Sequence, residues 1–287
     1  MDNQLDISAK QPFSLFDKVF SNLEELTLNR KGMTVRWQGQ FRKLKALQVV
    51  QDESSVFPLI FLQGFRSLEE LVMRSCSYKE IFLHGDIEKH AGMLAKIKVL
   101  KFDALSELKR IWKQDSKMDS VLRNVEILHV WNCHNLIKLV PSSASLENLT
   151  TLNIKSCDGL VNLITPSTAR SLVQLTKMSI DGCKMITEIV ANEGDATRND
   201  IILTKLKWLL LHRLPRLTSF CSGNYAFKFP SLEQLIVNEC PGMKIFSRGV
   251  SSTPRLWKMQ LSVDGNDEFL DCDVNTTIQR IHRTSGT

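Results

Sequence analysis

The chain has 287 residues, of which 43% are hydrophobic and 24% are charged, a balance that is ordinary for a soluble globular protein. Its 37 basic and 31 acidic residues give a net charge of +6, and the basic residues are scattered, which disfavours a nucleic-acid or anionic-lipid site. No apolar stretch is long enough to span a membrane, and the polar N-terminus is no secretory signal. Together with the free-thiol usage, these features predict a cytoplasmic protein.

In chain order, residues 1–19 come first and are predicted to be an irregular N-terminal segment or a partial repeat. A unit that reads L-x-x-L-x-L-x-x-C/L then recurs ten times. Its first residues are Leu23, Leu44, Leu68, Ile97, Val125, Leu149, Leu175, Leu206, Leu232 and Leu256. The mean period is about 26 residues, within the range of leucine-rich repeats. Residues 20–263 are therefore predicted to form one repeat domain of about ten repeats, and residues 264–287 a C-terminal cap and tail.

Each unit predicts a short strand followed by a tighter segment. Apolar residues two apart, such as Leu152 and Ile154, lie on the same side of a strand, and stacked copies form a parallel sheet over a continuous core. Apolar residues three apart follow in the second half, which suits a 3₁₀ turn or a short helix. The predicted fold is an α/β repeat, a leucine-rich-repeat solenoid (horseshoe). It has a parallel β-sheet on the concave face and short helical, 3₁₀ or irregular segments on the convex face.

The unit length varies, and this variation must be absorbed in loops. The longest unit contains the polar stretch 191–200, which lacks apolar periodicity and is predicted to be a mobile surface loop. Residues 115–119 and 84–86 have the same character and are predicted to be shorter excursions.

Five of the seven cysteines share one offset, eight residues after the first residue of their unit. They are Cys76, Cys133, Cys157, Cys183 and Cys240. At the end of a strand a thiol acts as a small buried group, so we predict that these cysteines are structural. Cys221 and Cys272 lie outside this pattern and are the candidates for a reactive thiol, although no basic cluster that would activate them is evident.

Motifs for catalysis and cofactor binding are missing from the sequence. It has no G-x-x-x-x-G-K-[ST] phosphate loop, no G-x-G-x-x-G, no H-E-x-x-H and no C-x-x-C. Cys133 and His134 are adjacent but have no second Cys or His pair nearby. We therefore predict no enzyme, no catalytic, cofactor-binding or metal site, and no small-molecule substrate.

The concave face is the remaining candidate surface. Trp131 and Trp208 are its most informative residues, because tryptophan outside a core pattern is typical of binding hot spots. With His129, Lys155 and His212 they could form one mixed aromatic and basic patch; alternatively, the tryptophans pack against neighbouring side chains or an adjacent domain. The predicted protein-binding residues are Arg74, Lys101, His129, Trp131, Asn153, Lys155, Trp208, Leu210, His212 and Arg213.

Three segments resemble a known family. Residues 229–235 (FPSLEQL), 214–221 (LPRLTSFC) and 240–246 (CPGMKIF) resemble plant intracellular nucleotide-binding leucine-rich-repeat disease-resistance proteins of the coiled-coil class, and the resemblance extends over roughly residues 13–281. It implies a region that binds pathogen effectors or guarded host proteins in the defense response. It also implies that this region helps to keep the nucleotide-binding domain of the same receptor inactive.

This chain departs from the family pattern, because it carries no coiled coil, phosphate loop or nucleotide-binding domain of its own. A fragment of a longer receptor, a truncated gene product and a stand-alone decoy or adaptor all remain open. Residues 183–187 also resemble F-box leucine-rich-repeat proteins, which implies a substrate-binding adaptor of a ubiquitin ligase as the alternative. An F-box would have to precede the repeats, and residues 1–19 are too short to hold one. A stand-alone leucine-rich-repeat scaffold is a further alternative.

Overall fold

A computed structural model describes residues 22–33, 41–82, 94–112, 122–193, 200–260 and 273–284. Within these ranges, ten parallel strands stack in chain order into one sheet, here called the main sheet. They are Glu25–Leu28 (β1), Ala46–Val50 (β2), Glu70–Arg74 (β3), Val99–Asp103 (β5), Ile127–Trp131 (β7), Thr151–Lys155 (β8), Lys177–Asp181 (β10), Trp208–His212 (β13), Gln234–Asn238 (β15) and Lys258–Gln260 (β17). Each strand coincides with one predicted unit, and the predicted leucine-rich-repeat solenoid is confirmed.

Neighbouring strands of the main sheet pair in the same register. Leu100 pairs with Leu128 and Leu128 with Leu152, so equivalent positions of successive repeats form columns across the sheet. These leucines are fully buried, whereas the residues that follow them on the strands, Lys101, His129 and Asn153, are half-buried. Because a shift of one residue would turn every leucine towards solvent, the apolar pattern fixes the register.

The second halves of many repeats form short parallel strands where the spacing had predicted turns or helices. These strands belong to three small sheets: Glu80–Phe82 (β4) with Arg110–Trp112 (β6), Asn162–Ile164 (β9) with Glu188–Val190 (β11), and Ile201–Ile202 (β12) with Phe227–Lys228 (β14) and Ser251–Ser252 (β16). Adjacent buried residues such as Ile189 and Val190 explain the difference, because β-branched residues favour extended backbone.

Helices are short where they occur in the described ranges. A 3₁₀ helix spans Leu59–Gly64, and α-helices span Arg30–Met33, Pro166–Ser171 and Val274–Thr284. The Thr165 hydroxyl accepts a hydrogen bond from the Thr168 N–H and caps the helix Pro166–Ser171. None of the described helices has the length and apolar character needed to cross a membrane.

The chain leaves the main sheet through a residue in the left-handed region. Such residues follow the strands of eight successive repeats, with φ between 50° and 66°: Gln51, Ser75, Ala104, Asn132, Ser156, Gly182, Arg213 and Glu239. We call this position eight of the repeat. Its N–H extends the sheet, as when Asn132 donates to the carbonyl of Lys155 at 2.8 Å. Glycine reaches this region without strain and asparagine tolerates it, so each of the other six costs roughly 1–2 kcal/mol.

The next residue, position nine, is a buried cysteine in five repeats. The Cys133 thiol donates to the carbonyl of Trp131 at 3.3 Å, and the Cys157 thiol donates to the carbonyl of Lys155 at 3.4 Å. Their predicted structural role is confirmed. Cys221 is also buried, and burial raises its pKa to about 11, which argues against a reactive thiol there. Cys272 lies outside the described residues.

Most of the predictions for the chain ends and the longest loops concern residues that the structure does not describe. Residues 1–19, 84–86 and 115–119 lie outside the described ranges, as do most of 191–200 and 264–272. The described part of the C-terminal segment packs on the ninth repeat. The Asn275 side chain accepts hydrogen bonds from the N–H groups of Phe246 and Ser247 at 2.9 and 3.1 Å, while Val274 and Ile278 are buried. The cap over residues 264–287 stays a prediction.

Candidate protein-binding face

The strand residues that alternate with the core leucines form one side of the main sheet, here called the open face. All ten predicted binding residues lie on this face or at its edge, and all are half-buried or exposed. Lys101, His129, Asn153 and Leu210 share the middle column, and Arg74, Trp131, Lys155 and His212 share the column at the strand ends. Trp208 begins its strand, and Arg213 occupies position eight. The fold thus presents these residues together on one surface, and their role in binding stays a prediction.

His129 and Trp131 form an aromatic pair on β7. Two residues apart on one strand, they point to the same side, and their rings stack with centroids 5.2 Å apart and an interplanar angle of 17°. In the sheet register, Lys101 and Asn153 flank His129, and Lys155 flanks Trp131. We call these five residues the aromatic centre.

The aromatic centre holds polar atoms that lack partners. Within the described residues, His129 Nδ1 and Trp131 Nε1 are both buried without a hydrogen bond. Each such atom costs about 1–3 kcal/mol. Burial lowers the pKa of His129, and the charges of Lys101 and Lys177 lower it further, so the imidazole is neutral near pH 7. The exposed charge of Lys155 beside these rings suits a partner that carries a carboxylate.

A second group of open-face residues is mainly apolar. Trp208 and Leu210 lie on β13, and Ile236 pairs with Leu210 in the register. The Lys177 ammonium lies 4.6 Å from the centroid of the Trp208 ring, a cation–π contact. We call these four residues the Trp208 patch. Sequence reasoning missed Lys177 and Ile236, although both stand beside the core residues of their repeats.

The structure does not bring Trp131 and Trp208 into one patch. Three inter-strand steps separate β7 from β13, which is about 14 Å at the usual strand spacing. The two residues also lie at opposite ends of their strands. The open face therefore carries two separate groups where the sequence had suggested one mixed cluster.

His212 and Arg213 are already engaged in an ion-pair network. Arg213 donates to both oxygens of Asp181, with Nε and Nη2 at 2.8 and 2.7 Å, and His212 lies 3.1 Å from both Asp181 and Glu239. Burial raises the pKa of Asp181, but the hydrogen bonds and charge of Arg213 outweigh it and leave the pKa below its ordinary value. The network therefore holds a carboxylate at physiological pH.

The remaining cations of the open face differ in how strongly they are held. Lys101 Nζ donates to Glu70 Oε1 at 2.7 Å. Arg74 and Lys155 are exposed and make no ion pair within the described ranges. In the same ranges, no group of three or more His, Cys, Asp or Glu residues could hold a metal ion. Arg74 and Lys155 are therefore the open-face cations most readily available to a partner, and Lys155 stands beside Trp131.

Comparison with known proteins places this surface among disease-resistance repeats. The family model described as "Plant disease resistance protein RPS2-like, leucine-rich repeats" matches residues 21–157 and 142–261. The chain is also similar to "Disease resistance protein SUMM2" from Arabidopsis thaliana, with 31% identity over 105 residues. That alignment covers 36% of the chain and 11% of the relative, so the match concerns a small part of that protein.

Proposed function

This chain belongs to the RPS2-like leucine-rich-repeat family of plant disease resistance proteins, and we propose that its open face recognises proteins in the defense response. The proposed partners are a pathogen effector or a guarded host protein. The proposed role is non-catalytic binding in the cytoplasm. The family match favours this role over a ubiquitin-ligase adaptor.

The aromatic centre is the observation that carries the proposal. Its tryptophan is half-buried at the end of a strand, and the backbone beneath is fixed by parallel pairing on both sides. Tryptophan is among the residue types that dominate binding hot spots. The exposed ammonium group of Lys155 beside the ring adds a charge that a partner's carboxylate would pair with.

The test is capture of partners with two matched variants. The 287-residue chain, the double variant Trp131→Ala/Lys155→Glu and the control Trp257→Ala/Lys205→Glu are immobilised and exposed to extracts of pathogen-challenged leaves. Trp257 is 53% exposed outside the aromatic centre, so the control removes the same chemistry elsewhere. We expect proteins bound by the wild type and the control to be lost with the first variant. Equal binding by all three, measured by quantitative mass spectrometry, would contradict the proposal.

The resemblance also implies restraint of a nucleotide-binding domain, and we propose this as a second role. The chain would be co-expressed in leaves with the nucleotide-binding region of a related receptor, chosen because this region triggers cell death when it is expressed by itself. Suppression of cell death by the wild type and by the Trp131→Ala/Lys155→Glu variant would assign restraint to another surface. Unchanged cell death would remove the restraint role and leave the recognition role in place.

A further inference from the structure

A second surface lies beside the main sheet, on the segments that follow position nine. Ile137 and Val161 each stand four residues after a position-nine cysteine in neighbouring repeats. Their side chains are 52% and 47% exposed. Lys109, Arg110 and Lys138 adjoin them, and all three are exposed. We call these five residues the basic flank.

The cations of the basic flank stand side by side without acids between them. Arg110 and Lys138 are direct partners in a parallel bridge, and the carbonyl of Lys109 accepts the N–H of Ile137 at 3.1 Å. In the part of the chain that the structure describes, no ion pair reaches any of the three. Like charges directly opposite each other on paired strands repel. This arrangement leaves a concentrated positive charge next to exposed aliphatic surface.

The opposite edge of the main sheet shows how this chain otherwise arranges its charges. There the residues that precede the strands alternate between positive and negative charge. Lys98 lies 3.7 Å from Glu69 and 3.9 Å from Glu126, and Lys207 lies 3.7 Å from Glu233. The alternation neutralises that edge within the fold. On the basic flank, Glu80 is the register partner of Arg110 on one side, but Lys138 follows on the other side without an acid. None of the three cations makes an ion pair in the described residues, so a net positive charge remains available to a partner.

The backbone beneath the basic flank is firmly held. The buried Trp112 ring stacks on Phe82 with centroids 4.5 Å apart and an interplanar angle of 10°. Its indole N–H donates to the carbonyl of Leu139 at 3.1 Å, which ties the fourth repeat to the fifth. Arg110 and Lys138 therefore stand next to each other on a rigid backbone, and ligand binding has to order only their side chains.

We propose that the basic flank docks an acidic protein segment that carries aliphatic side chains. The carboxylates of the segment pair with Lys109, Arg110 and Lys138, and its aliphatic groups cover Ile137 and Val161. This surface is separate from the open face, and the proposal does not depend on the function proposed above. The partner is defined by charge complementarity with three neighbouring cations and by the apolar pair beside them.

Binding of a synthetic peptide tests the proposal. The probe is a fluorescein-labelled peptide in which glutamates flank a leucine–isoleucine pair, titrated with the 287-residue chain and followed by fluorescence anisotropy. The variant Lys109→Glu/Lys138→Glu is compared with the control Lys43→Glu/Lys205→Glu, which changes the net charge equally at exposed lysines bonded to Asn22 and Gln174. We expect binding about tenfold weaker in the first variant and within about twofold of wild type in the control.

A second variant separates docking from simple charge attraction. Ile137→Ser/Val161→Ser leaves the charge unchanged and is expected to weaken peptide binding, while thermal melting confirms that the fold is intact. Equal binding by the charge variant and its control would overturn the proposal, as would unchanged binding by the serine variant. Binding to phosphatidylcholine–phosphatidylserine vesicles without binding to the peptide would overturn it in favour of a membrane surface.

Discussion

Position nine holds an aspartate in the second repeat and a cysteine in central repeats such as the sixth. Asp52 occupies it in the second repeat, only 2% exposed, and its carboxylate accepts hydrogen bonds from the Tyr78 hydroxyl at 2.6 Å and the Ser54 hydroxyl at 2.7 Å. Cys157 occupies it in the sixth repeat, and its Sγ lies 3.4 Å from the carbonyl oxygens of both Val130 and Lys155, which share its single S–H donor. One buried backbone position thus holds a charged group in one place and a weakly polar group in another.

The difference lies in where each group finds its partners. The cysteine uses backbone carbonyls, which every repeat supplies whatever its sequence. The aspartate accepts one backbone N–H, from Ser54 at 3.0 Å, and otherwise depends on two specific side chains, one of them in the next repeat. Tyr78 is itself buried against Phe57 with ring centroids 5.6 Å apart. A buried charge that loses a partner is costly, whereas a buried thiol behaves as a small apolar group. The second repeat should therefore be more sensitive to substitution than the central ones.

Tyr78→Phe should give the largest effect, because it removes a hydrogen bond to a buried carboxylate without changing the shape of the ring. We expect a loss of about 2 kcal/mol in the free energy of unfolding, measured by urea denaturation. Tyr225→Phe is the matched control. The Tyr225 hydroxyl is buried without a partner in the described residues, so its removal should cost almost nothing. Equal losses in the two variants would refute the comparison.

Replacing the aspartate should then rescue the tyrosine variant. In the double variant Asp52→Cys/Tyr78→Phe, position nine of the second repeat takes the chemistry of the sixth. We expect about 1 kcal/mol or more of the loss to be recovered, because no buried charge is left without its partner. The double-mutant cycle over the two positions measures the coupling. Additive losses would show that the carboxylate and the hydroxyl stabilise the fold independently.

Position eight also differs between the second repeat and the central repeats, and substitutions there should change the free energy of unfolding by less. Gly182 precedes Cys183 with φ of 66°, and a Cβ added there would lie 3.4 Å from Ser156 Oγ, an ordinary contact. Gly182→Ala should therefore cost about 1 kcal/mol through backbone strain alone. Gln51 precedes Asp52 with φ of 52°, and Gln51→Gly should relieve that strain. The gain should be smaller than 1 kcal/mol, because glycine also loosens the unfolded chain.

Positions eight and nine show which features of the fold can be predicted from the sequence. The leucine spacing predicted the sheet and its register because a slipped strand would expose the core. Asp52 stands eight residues after Leu44, at the offset of the five cysteines, but its residue type concealed the equivalence. The left-handed turn had a faint signal in Gly182 and Asn132, which favour that conformation, and none in Arg213 or Glu239.

Sequence reasoning placed the predicted binding residues on the open face but did not predict how they are grouped there. Alternation along the strands placed Trp131 and Trp208 on the open face. They belong to repeats three units apart and to different positions of the unit, and the strand spacing of the folded sheet turns this into a separation of about 14 Å. The engagement of His212 and Arg213 by Asp181 depends on side-chain geometry, which spacing does not encode. The short strands of the second halves were missed because apolar spacing alone does not distinguish a turn from an extended segment.

The smallest expected effect is a difference in acid sensitivity. Burial raises the pKa of Asp52, but the hydrogen bonds from Tyr78 and Ser54 outweigh it and leave the pKa below its ordinary value. A folded-state pKa below the unfolded value stabilises the protein above the unfolded pKa, near 3.9, and this stabilisation is lost as the pH falls through the folded value. Asp52→Asn should therefore flatten the decline in stability below about pH 4.

Cys157→Ala is the control for the acid experiment. A hydrogen bond with the Cys133 thiol, together with burial, raises the pKa of Cys157 to about 12, so this thiol does not titrate in acid. Urea midpoints measured from neutral to acidic pH should fall in parallel for Cys157→Ala and the wild type, and less steeply for Asp52→Asn. The effect is modest because burial and hydrogen bonding act on the Asp52 pKa in opposite directions. Parallel curves for all three proteins would mean that Tyr78 stabilises the protonated and ionised forms of Asp52 equally, and the second repeat would then lose its special dependence on charge.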